Sequence, residues 1–231
     1  MLGDELAILE REIVACRLCP RLVDWREEVA REKRASFRDE KYWGRPVPGF
    51  GDPGSDVVVF GLAPAAHGAN RTGRYFTGDR SGDFLFSALY RTGFASSPVS
   101  RTPDDGMELY GLWISAAVRC APPQNKPTPE ERDTCLPYAA RELELLDAKV
   151  VVCLGAFAWD AALRLLEVRP KPKFAHGAEY RADPLVLLGC YHPSQQNTFT
   201  GVLTPEMLDA VLSRARVLSG RAKREGEGPV S

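Results

Sequence analysis

Four short, uninterrupted apolar runs constrain this chain more than any other feature: VVVFGL at 57–62, LWISAAV at 112–118, KVVVCLG at 149–155 and PLVLLGC at 184–190. A strand that is apolar on both sides has no face to offer water, so such runs belong in a sheet covered above and below. The stretches between them carry helical signatures. GDFLFSALYRTG (82–93) places Phe84, Leu85, Ala88 and Leu89 on one side. Thr128-Pro129-Glu130-Glu131 reads as a capping box with proline at the first helical position. AFAWDAALRLLE (156–167) is helical throughout, and TPEMLDAVLSRARVL (204–218) repeats the cap chemistry. Residues 2–16 read as one more helix, with Leu6, Leu9, Ile13 and Val14 on one face, whereas 20–55 reads as charged and irregular. This alternation predicts an α/β fold: a three-layer α/β/α sandwich around a central, mainly parallel four-stranded sheet. A length of 231 residues fits a single domain over 1–218, with SGRAKREGEGPVS (219–231) as a disordered tail.

No apolar run approaches the ~20 residues that a membrane span needs. The start, MLGDELAILEREIVAC, is acidic and helical and lacks a signal peptide's basic-then-apolar order. A soluble, cytoplasmic protein is expected. Side-chain amides are scarce: three Asn and three Gln stand against 23 Arg and seven Lys. That scarcity hints at a heat-exposed protein, but its use is positional. All six amides fall in three segments, GLAPAAHGANRTGRYFTGD (61–79), RCAPPQNKPTP (119–129) and YHPSQQNTFTG (191–201), and each segment follows an apolar run. Ligands of open parallel sheets bind beyond the strand carboxyl ends, so the three segments are expected to converge on one site.

Within them, Phe76 offers a ring either to a planar ligand or to the core. Asp79, after Gly78, stands where a helix should begin, as a cap or as a group that orients water or stabilises positive charge. Asn125 is a turn residue or a reader of one edge of a base, since its amide both donates and accepts. His192, extended by Pro193, sits among Ser194, Gln195 and Asn197, where it could donate to a leaving-group oxyanion. The first segment is neither G-x-G-x-x-G nor a P-loop, which argues against a nucleotide cofactor.

The six cysteines divide into two groups. Cys153 and Cys190 lie inside apolar runs and read as core thiols. Cys16 and Cys19 form a C-x-x-C at the end of the first helix, which Pro20 is expected to stop; Cys120 ends the second run; Cys135 precedes Pro137, expected to interrupt its helix. Four thiolates suit zinc or a [4Fe–4S] cluster. Zinc ribbons pair two C-x-x-C knuckles, and only one is present here, which favours iron–sulfur ligation. The role expected is a staple between the N-terminal helix and a loop beside the site.

Together the segments GLAPAAHGANRTGRYFTGD and HPSQQNTFTG, with Cys16, Cys19, Cys120 and Cys135, resemble the iron–sulfur uracil-DNA glycosylases of family 5, the type b branch, from Cys16 to about Gly201. The resemblance implies a monofunctional enzyme that hydrolyses the N-glycosidic bond of uracil, and of other deaminated bases, in DNA flipped out of the stack. It implies that Phe76 stacks on the base and that backbone around Gly61 and Ala63 lines the pocket. His192 would stabilise the departing base, Asp79 and Asn125 would serve water and the oxocarbenium-like sugar, and Ser194, Gln195 and Asn197 would meet phosphates and the gap in the duplex. The four cysteines would hold a [4Fe–4S] cluster. DNA containing deaminated bases is the implied partner, a monomer is expected, and no membrane is involved. One departure stands out. The sister family 4 carries a Thr-Asn pair at the end of the second strand, where this chain has Ser115 and Ala116, so a broader base range, including hypoxanthine, is expected. Ala63-Pro64-Ala65-Ala66 also lacks the early acid of family 1 enzymes.

The formal charge of −1 excludes a uniformly basic coat. Local groups remain: Arg71, Arg74 and Arg80, then Arg119 with Lys126, are expected to face DNA, whereas Arg169, Lys171 and Lys173 read as solvated surface. Two rivals stay open: a non-enzymatic iron–sulfur DNA-binding sensor, and a metal-stapled nucleoside hydrolase.

Overall fold

The computed structural model describes residues 2–220. Its strands are β1 (Phe50–Gly51), β2 (Val57–Gly61), β3 (Leu112–Ala116), β4 (Val150–Leu154), β5 (Glu179–Ala182) and β6 (Leu185–Cys190), ordered β1-β3-β2-β4-β6-β5 in one sheet. The four expected runs form its parallel centre, with Val57 opposite both Leu112 and Val150, and Val150 opposite Val186. Two antiparallel edge strands extend it to six among the described residues. Neither edge was readable as a strand: β1 is two residues within a turn-rich stretch, and β5, EYRA, is polar and half-exposed.

Every residue of β2, β3, β4 and β6 is buried. Successive side chains point to opposite faces, and the helices divide accordingly. Val57, Val59, Ile114, Val152 and Leu188 pack beneath Leu85 and Leu89 of α4 (Arg80–Arg91) and Leu208 and Leu212 of α8 (Pro205–Leu218). Val58, Phe60, Val151, Cys153 and Leu187 meet Leu136 and Ala139 of α5 (Pro129–Leu145) and Trp159 and Ala162 of α6 (Ala156–Leu165). At about 1.5–3 kcal/mol for each large side chain taken from water, this two-sided burial explains why the runs carry no polar break.

Two expectations about proline are corrected. Pro20 does not stop a helix but starts one: α1 (Leu2–Ala15) ends before the C-x-x-C, and α2 (Pro20–Glu32) follows it. Proline fits the first helical turn because its missing N–H has no partner there anyway. The stretch 20–55 is therefore not irregular throughout; Leu22, Val23 and Val29 of α2 are buried beneath a charged surface. Pro137 does not interrupt α5, which runs on with Cys135, Leu136 and Ala139 on its buried side. The capping box is present in both directions: Thr128 accepts from the Glu131 N–H, and Glu131 from the Thr128 N–H. Among the described residues no helix is long and apolar enough to cross a membrane. The tail expected from 219 lies outside the described residues from 221 onward.

Candidate active site

A cavity of about 390 Å³ opens at the carboxyl ends of the parallel strands. It gathers Gly61 from the end of β2, Ala63, Phe76 and Asp79 from beyond it, Asn125 from beyond β3, and His192 and Ser194 from beyond β6. Gln195 is exposed at the start of α7 (Gln195–Phe199) and is not on the lining. Asn197 is not on it either; its side-chain amide turns back and donates to the His192 carbonyl at 2.9 Å. Sequence reasoning missed the β4 end, where Gly155, Ala156 and Phe157 complete the wall. The available signal was Gly155 closing the third apolar run; it adopts φ 92°, a conformation open to glycine.

The loop beyond β2 is held hard. Phe76 has φ 53°, unusual for a bulky residue. The backbone there presses on Gly82, where a Cβ would lie 1.9 Å from the Phe76 carbonyl oxygen. Asp79 caps α4 as expected, accepting from the Gly82 N–H at 2.8 Å. Its other oxygen occupies the space a Cβ on Gly68 would need, 2.2 Å away. Burial pushes the Asp79 carboxyl above its usual range, and the Gly82 N–H pulls the other way. The Phe76 and His192 ring centroids lie 6.1 Å apart at 37°. Burial pushes His192 down to about 4, so its imidazole is neutral at pH 7 and offers an N–H without a charge. Asn125 is exposed on a tight turn, with both Gln124 and Asn125 at positive φ.

The arginines expected to face DNA are mostly elsewhere. Arg71 is buried and pairs with Glu40 while donating to the Gly78 carbonyl. Arg74 is buried and pairs with Asp105 at 2.6 Å. Arg119, 1% exposed, pairs with Glu142. Each braces the chain from inside, its buried charge tolerated because a carboxylate pairs with it. Arg80 and Lys126 alone of the five remain exposed. On the far side, Lys171 pairs with Asp160, in keeping with a solvated surface.

Cys16, Cys19, Cys120 and Cys135 line one small cavity between α1, α2 and α5, together with Tyr138 and Arg119. Donors point at its sulfurs: Arg26, 2% exposed, reaches Cys120 Sγ at 2.9 Å, and the Arg119 N–H reaches Cys135 Sγ at 3.3 Å. Burial pushes Cys120 up to about 11 and Cys135 up to about 12, so these thiols become thiolates only against positive charge. Among the described residues no three His, Cys, Asp or Glu side chains converge tightly enough for a single metal ion. Four thiols face this one cavity, a donor set that fits a thiolate-held metal group. Cys153 and Cys190 are core thiols, as expected.

The family model for the uracil DNA glycosylase superfamily matches residues 48–216. The type-5 uracil-DNA glycosylase of Mycobacterium tuberculosis is 56% identical over 213 residues, 90% of this chain and 80% of its own. That of Thermus thermophilus is 54% identical over 214 residues, 90% of this chain and 95% of its own. That of Mycobacterium leprae is 53% identical over 217 residues, 92% of this chain and 95% of its own.

Proposed function

This chain belongs to the uracil-DNA glycosylase superfamily, in its type-5 branch, and on that footing we propose that the cavity beyond the sheet receives the extruded base and that Phe76, His192, Asp79 and Asn125 act on it. The chain is a monofunctional uracil-DNA glycosylase of DNA repair. Water adds to the sugar carbon, the glycosidic bond breaks, and its electron pair leaves with the base. Positive charge grows on the sugar and negative charge on the base.

The observation that carries the residue assignment is one cavity lined by an aromatic ring, an imidazole and a half-buried carboxyl group, those of Phe76, His192 and Asp79. Each answers one demand of that reaction. Phe76 stacks on the base, a contact worth about 1–3 kcal/mol. His192 donates from its neutral ring to the oxygen where negative charge collects; a neutral donor stabilises it without first being discharged. Asp79 faces the growing positive charge and holds water for it. Asn125, at the mouth, orients that water or the base edge. Among the described residues no lysine lines the cavity, which favours water as the nucleophile over a Schiff base.

The base range follows from β3. Ser115 is buried and donates to Glu142 at 2.6 Å, while Ala116 gives the cavity only a methyl. No amide from that strand discriminates between bases, so hypoxanthine and 5-substituted uracils are accepted beside uracil. A [4Fe–4S] cluster on Cys16, Cys19, Cys120 and Cys135 supplies a structural staple, with Arg26 and the Arg119 amide donating to the ligand sulfurs. Arg80, Lys126 and the Ser194–Asn197 segment meet the DNA, and the chain works as a cytoplasmic monomer with one domain over 1–218.

Incubation with duplexes carrying one uracil or one hypoxanthine, followed by alkali, tests this reading. Strand breaks at both bases are expected. Breaks at uracil alone would remove the broad range, and wild-type rates in both Asp79→Ala and Asn125→Ala would remove their roles.

A further inference from the structure

Three consecutive hydrogen bonds join the cysteine lobe to the wall of the base cavity. The Arg119 N–H donates to Cys135 Sγ at 3.3 Å. The Arg119 carbonyl accepts from the Val47 N–H at 2.7 Å. The Val47 carbonyl accepts from the Tyr75 hydroxyl at 2.9 Å. Tyr75 lines the cavity and is followed by Phe76. Every link is shielded from water: Val47 and Arg119 are at most 1% exposed and Tyr75 is 3% exposed.

Each link is braced from the side. The Arg119 guanidinium is held by Glu142, which also accepts from Ser115 Oγ at 2.6 Å and from the Gly49 N–H at 3.2 Å. Gly49 lies two residues beyond Val47, so one buried carboxylate ties both strands of the connection. Burial raises the Tyr75 phenol far above its ordinary range, which keeps the hydroxyl proton in place for Val47. On the other side Arg74 anchors the same loop, reaching Ser100 Oγ at 2.8 Å and the Thr102 carbonyl at 2.6 Å. Thr77, on the far side of Phe76, is buried and accepts from Arg74 Nε at 3.0 Å, so Phe76 is held at positive φ between two anchored neighbours, the kind of local strain that persists only where surroundings over-determine it.

We infer that Tyr75 is a positioning residue whose hydroxyl sets the Phe76 loop by the geometry of the four-cysteine lobe, so that an intact lobe is a condition for a formed base cavity. The inference rests on the reading that this lobe holds a cluster. It gives the N-terminal lobe, far from the reacting bond in sequence, a reason to influence the rate rather than stability alone.

Tyr75→Phe removes one hydroxyl and keeps the ring. Iron content and visible absorbance of the purified variant should match wild type. Its single-turnover rate on a uracil duplex should fall about five-fold, the size of one lost hydrogen bond, with DNA affinity unchanged. Amide exchange at residues 75–78 should quicken in the variant, and equally in wild type once a chelator has removed the iron. After chelation the two proteins should excise uracil at the same rate, because both have lost the same connection. A persisting five-fold gap between the chelated proteins would overturn the inference, as would wild-type rate and exchange in iron-loaded Tyr75→Phe. Iron-free wild type after anaerobic purification would overturn the cluster reading and this inference together; the other failures leave the cluster reading intact.

Discussion

The loops beyond β2 and β6 both read as polar, glycine-bearing site loops, yet they are built on opposite plans. The first is anchored from inside by Arg71 and Arg74, by the Asp79 cap and by the Tyr75 hydroxyl. The second is held by one short helix, with Ser194 as its cap and Asn197 on the His192 carbonyl, while Gln195, Gln196 and Phe199 stand in water. The difference teaches where rigidity is needed. In the role proposed for Phe76, a stacking ring must keep its angle before the base arrives, and a loop anchored from inside can do that. A segment with the DNA contact proposed for 194–197 must stay accessible, and only the residue behind it, His192, needs fixing.

The largest effect should come from the braced loop. Arg74→Ala removes, besides the Asp105 pair, the donor to Thr77 Oγ1, Ser100 Oγ and the Pro103 and Thr102 carbonyls, and stability should fall by about 3–4 kcal/mol as several acceptors lose their partner at once, measured by urea unfolding. A loss below ~1 kcal/mol would erase the contrast between the loops. Next, in its proposed role as donor to developing negative charge, His192→Ala should slow single-turnover excision about 10²–10³-fold, with DNA affinity retained.

The same histidine gives a pH signature. Its pKa falls from 6.5 to about 4 on folding, so the unfolded chain binds the proton first. Stability should therefore drop as pH falls from 6.5 towards 4, and should show no contribution from this group above that window. His192→Asn should flatten this part of the profile; an unchanged slope would assign it to other groups. Asn197→Ala, which frees the His192 carbonyl, should cost about 1 kcal/mol and a few-fold in rate. Gln195→Ala should stay within about 0.5 kcal/mol of wild type, and a larger loss would show that the exposed loop is more tightly built than its contacts imply.

Much of this was readable beforehand, and the reasons differ by residue. Val57–Gly61 and its three companions declared themselves because two-sided burial leaves no polar residue in a strand. Asp79 declared itself as a cap because that role depends on neighbours three residues away. The edge strand β5 did not, because its half-exposed pattern resembles a loop. Pro20 and Pro137 misled because proline's local cost says nothing about whether a first turn or a buried helix face accommodates it. The arginines misled most. A positive charge in a sequence shows no partner, and Glu40, Asp105 and Glu142 lie 31, 31 and 23 residues from theirs.

Local chemistry thus determined by itself the parallel core, most of the helix starts, and the gathering of Phe76, Asp79, Asn125 and His192 at the carboxyl ends of the strands. Those follow from hydrophobic burial and backbone capping, which act between near neighbours or along a whole strand. Tertiary structure alone decided which polar groups would be spent on scaffolding. Arg74, Arg119 and Asn197 turn inward and Asn125 stays out because a buried charge or amide is stable only where a distant segment supplies its partner, and the fold chooses that segment.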